Sequence, residues 1–135
     1  REDGSTLFYG HSYTGNGLGC AAAVASLDIF ASEETLASLG SKVEQIQAGL
    51  AKIEGAVAIR GIGMIGALDL TNSAVAKEVC QWARGFGLLT RPIRETVVVM
   101  PPLCITAEQI EKSILALQKA INDVITGNSN DAEKS

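Results

Sequence analysis

Three stretches of the chain hold residues whose types and spacing could do chemistry. The first is Gly10-His11-Ser12-Tyr13-Thr14-Gly15-Asn16-Gly17, a polar, glycine-rich loop that runs straight into an alanine-rich apolar segment. If that segment is a helix, its free N-terminal amides and partial positive charge can hold an anion, and the hydroxyls of Ser12 or Thr14 add donors. There is no lysine to make it a Walker loop, and an ordinary N-cap with a flexible lead-in is the commoner reading of such residues, because most capped helices bind nothing. The second is Arg91, between Thr90 and Pro92 at the end of an apolar strand. Proline biases the residue before it toward extended backbone, so the position of Arg91 is well defined. A guanidinium held that way matches a carboxylate through two parallel hydrogen bonds, although a surface arginine beside a turn, such as Arg94, fits the same spacing. The third is Gly61-Ile62-Gly63-Met64-Ile65-Gly66, which has the spacing of a dinucleotide fingerprint. That fingerprint requires a helix directly after its glycines. Here Ala67-Leu68-Asp69-Leu70 follows and reads as a strand, so a glycine-rich hairpin or bulge is expected instead.

The remaining candidates carry little chemistry. His11 is the single histidine, and no Cys or Asp stands at ligand or triad spacing from it, so a structural role is expected over general-base work. Cys20, Cys80 and Cys104 are odd in number, widely spaced and set among apolar residues. They read as buried free thiols of a reducing compartment, neither a disulfide frame nor a metal site.

The elements that must position these residues alternate between helical and strand periodicity. A first helix is expected from about Gly15 or Asn16 to Phe30, apolar at nearly every position and therefore in need of cover on more than one side. A second starts at Ser32 as N-cap, with Glu33 and Glu34 at the positive end of its dipole. Leu36, Leu39, Val43, Ile46, Leu50 and Ile53 then line its buried face. Val57-Ala58-Ile59 and Met64 to Leu70 read as strands joined through Gly61 and Gly63. A third helix carries Val75, Val79, Trp82 and Phe86 and stops at Gly87. Leu88-Leu89 and Thr96 to Met100 read as strands flanking Arg91-Pro92, and Pro101-Pro102 ends the last of them. Thr106 with Gln109 makes a capping box for a final helix striped by Ile110, Ile114, Leu117, Ile121 and Val124. The sum is an α+β fold, a small, mostly antiparallel sheet with helices packed on it.

Composition limits the function classes. The chain has 135 residues, 47% hydrophobic and 19% charged, enough for one domain with its own core. Eleven basic residues against fifteen acidic give a net charge of −4, which argues against a nucleic-acid binder working through a basic field. No apolar run approaches the roughly 20 residues of a membrane span. The opening Arg1-Glu2-Asp3-Gly4-Ser5 is not followed by the apolar core of a secretion signal, so a cytoplasmic protein is expected. The small polar stretch from Gly127 to Ser135 reads as a disordered tail.

These segments together resemble a known family. GHSYTGNGLGCAAAVASLDIF (Gly10 to Phe30) is similar to the loop and helix that follow the catalytic lysine in class III, fold type I aminotransferases. RGIGMIGALDL (Arg60 to Leu70) resembles the glycine-rich hairpin of their C-terminal domain, and TRPIRETVVVMPPLCIT (Thr90 to Thr106) resembles its arginine strand and the following helix entry. Within the class, HSYTGN and VVVMPPLCIT are most similar to the branch that moves an amino group from S-adenosylmethionine to 8-amino-7-oxononanoate in biotin biosynthesis. The resemblance covers the chain up to its polar tail but only roughly the last third of a family enzyme. It divides the chain into a phosphate-binding loop (1–14), a connecting helix (15–31), a small domain (32–126) and the tail (127–135).

The resemblance implies pyridoxal 5′-phosphate as cofactor, small-molecule substrates and a homodimer with active sites at the subunit interface. By match of motif, His11 and Ser12 correspond to the pair that holds the cofactor phosphate of the neighbouring subunit. Gly10 corresponds to a substrate-contacting backbone position, and Arg91 to the arginine that clamps the substrate carboxylate. There are departures. Gly17 stands where proline is common, Gly19 where alanine is common, and Arg94 where glycine is frequent. The Schiff-base lysine lies upstream of the position matching Arg1, and so does the aspartate that pairs with the pyridine nitrogen. The six lysines present (Lys42, Lys52, Lys77, Lys112, Lys119, Lys134) fall on helices or in the tail and read as solvated. The expectation is a chain inactive by itself, whose uncovered first helix drives self-association. An ornithine- or ω-type aminotransferase of the same class, and a non-enzymatic dimerisation module, remain the alternatives.

Overall fold

The computed structural model describes residues 9–33 and 35–127. The elements, in chain order, are α1 (Gly17–Ser32), α2 (Thr35–Leu50), β1 (Ala58–Ile62), β2 (Ile65–Asp69), α3 (Ser73–Gly85), β3 (Arg91–Ile93), β4 (Thr96–Val99) and α4 (Ala107–Ile125). They form two compact units, one ending at Leu36 and the other beginning at Ala37. The expected polar tail lies, beyond Gly127, outside the described residues.

The first unit is the loop from Tyr9 and the helix it opens. Asn16 is the N-cap of α1, and its Oδ1 accepts the Gly19 amide at 2.8 Å. The helix then runs through Ser32, and the Glu33 amide still bonds Ile29 O at 3.0 Å. Ser32 therefore closes α1 and does not cap α2, which begins at Thr35. No glycine or proline stops the helix at Phe30, and the Ser32 hydroxyl turns back onto Ile29 O, a bond that helix interiors offer and caps do not. No residue of α1 is buried: Leu18 is 84% and Leu27 69% exposed. The apolar periphery read from the sequence is real, and nothing within this unit covers it.

The second unit is a four-stranded antiparallel sheet of order β1-β2-β4-β3 with helices against its inner face. Alternation puts Leu68 of β2 opposite Val97 of β4, both fully buried, with Gly66 opposite Val99 beside them. Ile46 and Leu50 from α2, Val79 and Cys80 from α3, and Ile110, Leu117 and Ile121 from α4 complete that layer. The two outer helices begin as their sequences dictate. Asn72 caps α3 through the amides of Ala74 and Val75, and Thr106 with Gln109 forms the expected capping box of α4. Beyond Gly85, Phe86 is the C-cap of α3 and Gly87 follows at φ +85°, with Leu88 N bonded to Ala83 O at 2.9 Å and Gly87 N to Arg84 O at 3.0 Å.

That helix ending overturns one sequence reading. Leu88-Leu89 is not a strand, because the Leu88 amide is committed to capping α3. The strand begins later and contains Arg91-Pro92 instead of flanking it. Ile93 and Thr96 close a two-residue hairpin, so Pro92, opposite Val97, turns its nitrogen to the free edge and forfeits no ladder bond. The cysteines also need correction: Cys80 is buried, whereas Cys20 and Cys104 are exposed. Cys20 lies on the uncovered α1, and in the turn before α4 the inward place next to Cys104 is taken by Ile105.

Both hairpins have two-residue turns, and both demand a left-handed first residue. In β1–β2 this is Gly63 at φ +53°; in β3–β4 it is Arg94 at φ +56°, the only non-glycine at positive φ among the described residues. A side chain there costs about 1–2 kcal/mol, partly offset by the greater freedom glycine has when unfolded. Arg94→Gly should therefore stabilise the chain by about 0.5–1 kcal/mol, read as a higher denaturation midpoint. An unchanged or lower midpoint would mean that the Arg94 side chain contributes contacts that outweigh its backbone strain.

Candidate functional site

The loop before α1 is held by its own short-range hydrogen bonds. The His11 amide donates to Thr14 Oγ1 at 2.8 Å, the Thr14 amide to His11 O at 2.9 Å, and the Asn16 amide to Tyr13 O at 3.2 Å. The imidazole joins in: the Tyr13 amide donates to His11 Nδ1 at 3.2 Å, and Nε2 lies 2.5 Å from Tyr9 Oη, with the two rings edge to face. Thr14 is thus turned onto the backbone of His11. The Ser12 and Tyr13 hydroxyls have no bond to the described residues, Ser12 being the one of the two that lies at the turn beside His11. Asn16 satisfies only one first-turn donor of α1, leaving the Gly17 and Leu18 amides without helical partners. Gly10 is exposed, and a Cβ there would meet nothing within 4 Å. Residues 9–27 contain no Asp or Glu. The chemistry of this set suits an anion and would repel none.

In the second unit, Arg91 opens β3 opposite Val98. Its backbone is set by the ladder and by Thr90, whose hydroxyl donates to Val98 O at 2.5 Å. The guanidinium is exposed and has no ion-pair or hydrogen-bond partner among the described residues. It lines a cavity of about 700 Å³ whose walls include Leu88, Leu89, Met100, Ile105 and Ile110. Four polar side chains reach that lining: Arg84, Thr90, Arg91 and Ser113. Such an apolar hollow with a free guanidinium suits a small carboxylate bearing a hydrocarbon chain. Arg84, in the last turn of α3, was not legible as a candidate; its one signal is a lone basic residue next to a helix stop. The same is true of Tyr9, whose partner two residues on is visible only once the loop is folded.

The glycine-rich motif is structural, as its strand context predicts. Gly63 makes the turn of the β1–β2 hairpin, and β2 follows where a dinucleotide loop would need a helix. Gln47 Nε2 reaches over from α2 to the carbonyls of Gly63 at 3.0 Å and Ile65 at 3.3 Å, and a Cβ on Gly61 would collide with it. Gly66 is bare because Leu50 occupies the space its Cβ would take. Groups of residues able to hold a metal ion are absent from the described residues. No helix among them is long and apolar enough to cross a membrane.

The lysines are more engaged than their sequence context suggests. Lys42 Nζ donates to Leu103 O at 2.7 Å, Lys112 pairs with Glu108 at 2.7 Å, and Lys119 lies 4.3 Å over the Phe86 ring. Lys52 sits in the turn after α2 and not on a helix, and Lys134 lies outside the described residues. Burial pushes the Cys80 thiol up, which keeps it protonated and inert.

The family profile described as Aminotransferase class-III matches residues 2–121. The chain is 40% identical over 136 aligned residues to the adenosylmethionine-8-amino-7-oxononanoate aminotransferase of Geobacter sulfurreducens, covering 90% of this chain and 30% of that protein. It is 30% identical over 124 residues to the ornithine aminotransferase of Emericella nidulans, covering 86% and 27%. Among solved structures, the adenosylmethionine-8-amino-7-oxononanoate aminotransferase of Methanocaldococcus jannaschii superposes with a TM-score of 0.78 at 29% identity, over 87% of this chain and 30% of that one. The chain thus spans about 30% of the length of the curated relatives it matches.

One charge cluster lies on the outer face of the sheet. Arg60 of β1 pairs with Asp69 of β2, and the Thr96 hydroxyl of β4 donates to the same carboxylate at 2.6 Å. Hydrogen bonds from Arg60 first, and then from Thr96, hold the Asp69 carboxyl below its usual range. A depressed carboxyl stabilises the fold fully above the ordinary value of about 3.9 and loses that contribution as pH falls through its folded value. Asp69→Asn should therefore shrink the loss of stability between neutral and strongly acid pH, measured by urea unfolding across that window. Parallel curves for wild type and variant would show that the pair contributes nothing.

Proposed function

Because the chain belongs to the class-III aminotransferases, we propose that residues 1–126 are the C-terminal part of a pyridoxal-phosphate enzyme moving an amino group from S-adenosylmethionine to 8-amino-7-oxononanoate. The observation that carries the substrate assignment is the 40% identity over 90% of the chain with an enzyme named for that reaction. The free Arg91 guanidinium beside an apolar hollow supports it, since the acceptor joins a carboxylate to a hydrocarbon chain. A second reading, an ornithine-type aminotransferase, has the 30% identity with the Emericella enzyme in its favour. A cytoplasmic enzyme is part of this proposal, supported by the three unpaired cysteines of this chain.

Pyridoxal phosphate, when bound, supplies the electron sink that lets an amine nitrogen leave one carbon and join another. This chain's part is binding and orientation. Ser12, the loop amides and the start of α1 hold the phosphate, with His11 beside them and Gly10 leaving room for the substrate's approach. Arg91 takes the acceptor carboxylate with two charge-assisted hydrogen bonds, and the apolar wall excludes water from the methylene chain. By the family resemblance, the lysine that bonds the cofactor belongs to a part of the enzyme outside these 135 residues, and none of the six lysines here stands in that lysine's sequence context. The 135-residue chain alone is then without transaminase activity. The uncovered apolar surface of α1 fits an enzyme that works as a homodimer.

Full-length enzyme assayed with S-adenosylmethionine against ornithine and other amines decides between the two readings; turnover only with ornithine would discard the first. Arg91→Ala should raise KM for the acceptor by about 10- to 100-fold, the loss of a charge-assisted pair, while cofactor absorbance stays normal. An unchanged KM would remove the clamp. The 135-residue chain mixed with pyridoxal phosphate should show no turnover, and measurable turnover would overturn the assignment of the lysine.

A further inference from the structure

Resting on the reading of the loop as a phosphate holder, we infer that the His11 side chain is the brace of this loop and not a phosphate ligand. Tyr9 positions that brace, and the phosphate contact is left to the Ser12 hydroxyl already assigned to it. The argument starts from a proton count. A backbone amide can only donate, so His11 Nδ1, which receives the Tyr13 amide at 3.2 Å, must present a lone pair. A neutral imidazole has one N–H, which then sits on Nε2 and donates to Tyr9 Oη, 2.5 Å away. Edge-to-face contact with the Tyr9 ring, centroids 5.1 Å apart and planes at 80°, holds the imidazole in that orientation.

Both ring nitrogens are thereby engaged inside the loop, and so are the backbone N–H and C=O of His11, through Thr14. An imidazole so engaged has no donor left for a phosphate unless it gives up Tyr9. Ser12 is the contrary case. It stands between the bonded groups of His11 and Tyr13, on a turn those bonds shape, with a hydroxyl that bonds nothing described. The Nδ1 contact to an amide two residues on is the one an Asn side chain makes in an Asx turn, so the ring serves as a turn former.

Two experiments separate brace from ligand. His11 is the only histidine, so the imidazole nitrogen resonances of the ¹⁵N-labelled 135-residue chain are unambiguous. With the ring neutral they should report a proton on Nε2 and none on Nδ1; the opposite tautomer overturns the brace while leaving the phosphate reading intact. In the full enzyme, cofactor dissociation is compared for three substitutions. His11→Asn restores an acceptor at the Nδ1 place and should hold the cofactor within about threefold of wild type, whereas His11→Gln and His11→Ala release it about tenfold more readily, the loss of one net hydrogen bond. Retention by His11→Gln with release by His11→Asn would make the ring a direct ligand and overturn the inference. Tyr9→Phe should loosen the cofactor in the wild-type background and have no further effect on His11→Asn, because the two act as one unit; equal effects in both backgrounds would overturn its positioning role. If Ser12→Ala and every His11 variant leave dissociation unchanged, the inference falls together with the reading of the loop beneath it.

Discussion

The pairing of Leu68 with Val97 at the centre of the sheet is the constraint on which the second unit depends. Both side chains are fully buried under α2, α3 and α4, and a slip of one residue would turn them to the outer face. With that register set, every other strand position follows. Pro92 must lie inward opposite Val97, so Arg91 faces outward opposite Val98, where it has no ion-pair or hydrogen-bond partner among the described residues and borders the apolar cavity. Asp69 and Thr96 are likewise forced outward and face each other, and Arg60 reaches them from the next strand. A hydrophobic pair with no chemistry of its own thus decides where the charged groups stand.

The helices enforce the same register from the other side. Leu50 of α2 fills the space over Gly66, and Gln47, one turn earlier, spans the hairpin carbonyls next to Gly61. A nucleotide-like glycine pattern is therefore explained by a helix lying close on a hairpin, where a Cβ at either position would force the layers apart. At the far end of the sheet, the glycine-terminated stop of α3 consumes the Leu88 amide and delays the next strand to Arg91. The defined position of the arginine comes from this delay as much as from the proline behind it.

The loop before α1 follows a different principle. Its shape arises within a few residues, from His11, Thr14, Asn16 and Tyr9 bonding to one another and to nearby amides. No distant core is needed to form it. The Ser12 hydroxyl and the first amides of α1 are left without bonds to the described residues. The chain belongs to the class-III aminotransferases, and no residue of α1 is buried.

Local chemistry was legible in the residues themselves. The start of α1 near Asn16, the cap at Thr106, the stop at Gly87, the hairpin at Gly63 and the stripes of the buried helices depend on contacts within a few positions of the chain, and spacing reports those directly. The loop with its Ser12 and Thr14 hydroxyls and Arg91 stood out by residue type for the same reason, whereas His11 and Gly10 became candidates only through the family resemblance. What could not be read locally was set by competition for partners. Ser32 joins α1 because its hydroxyl bonds backward, Leu88 leaves the sheet because its amide is taken, and Cys20 and Cys104 are exposed because the apolar stretches around them are not all inside. Arg84 reaches the cavity only because α3 lies against the strand that carries Arg91. Sequence alone determined which residues could bond and which stretches could be helix or strand; tertiary packing decided which of the possible bonds were made, because each donor and each buried place can be filled only once.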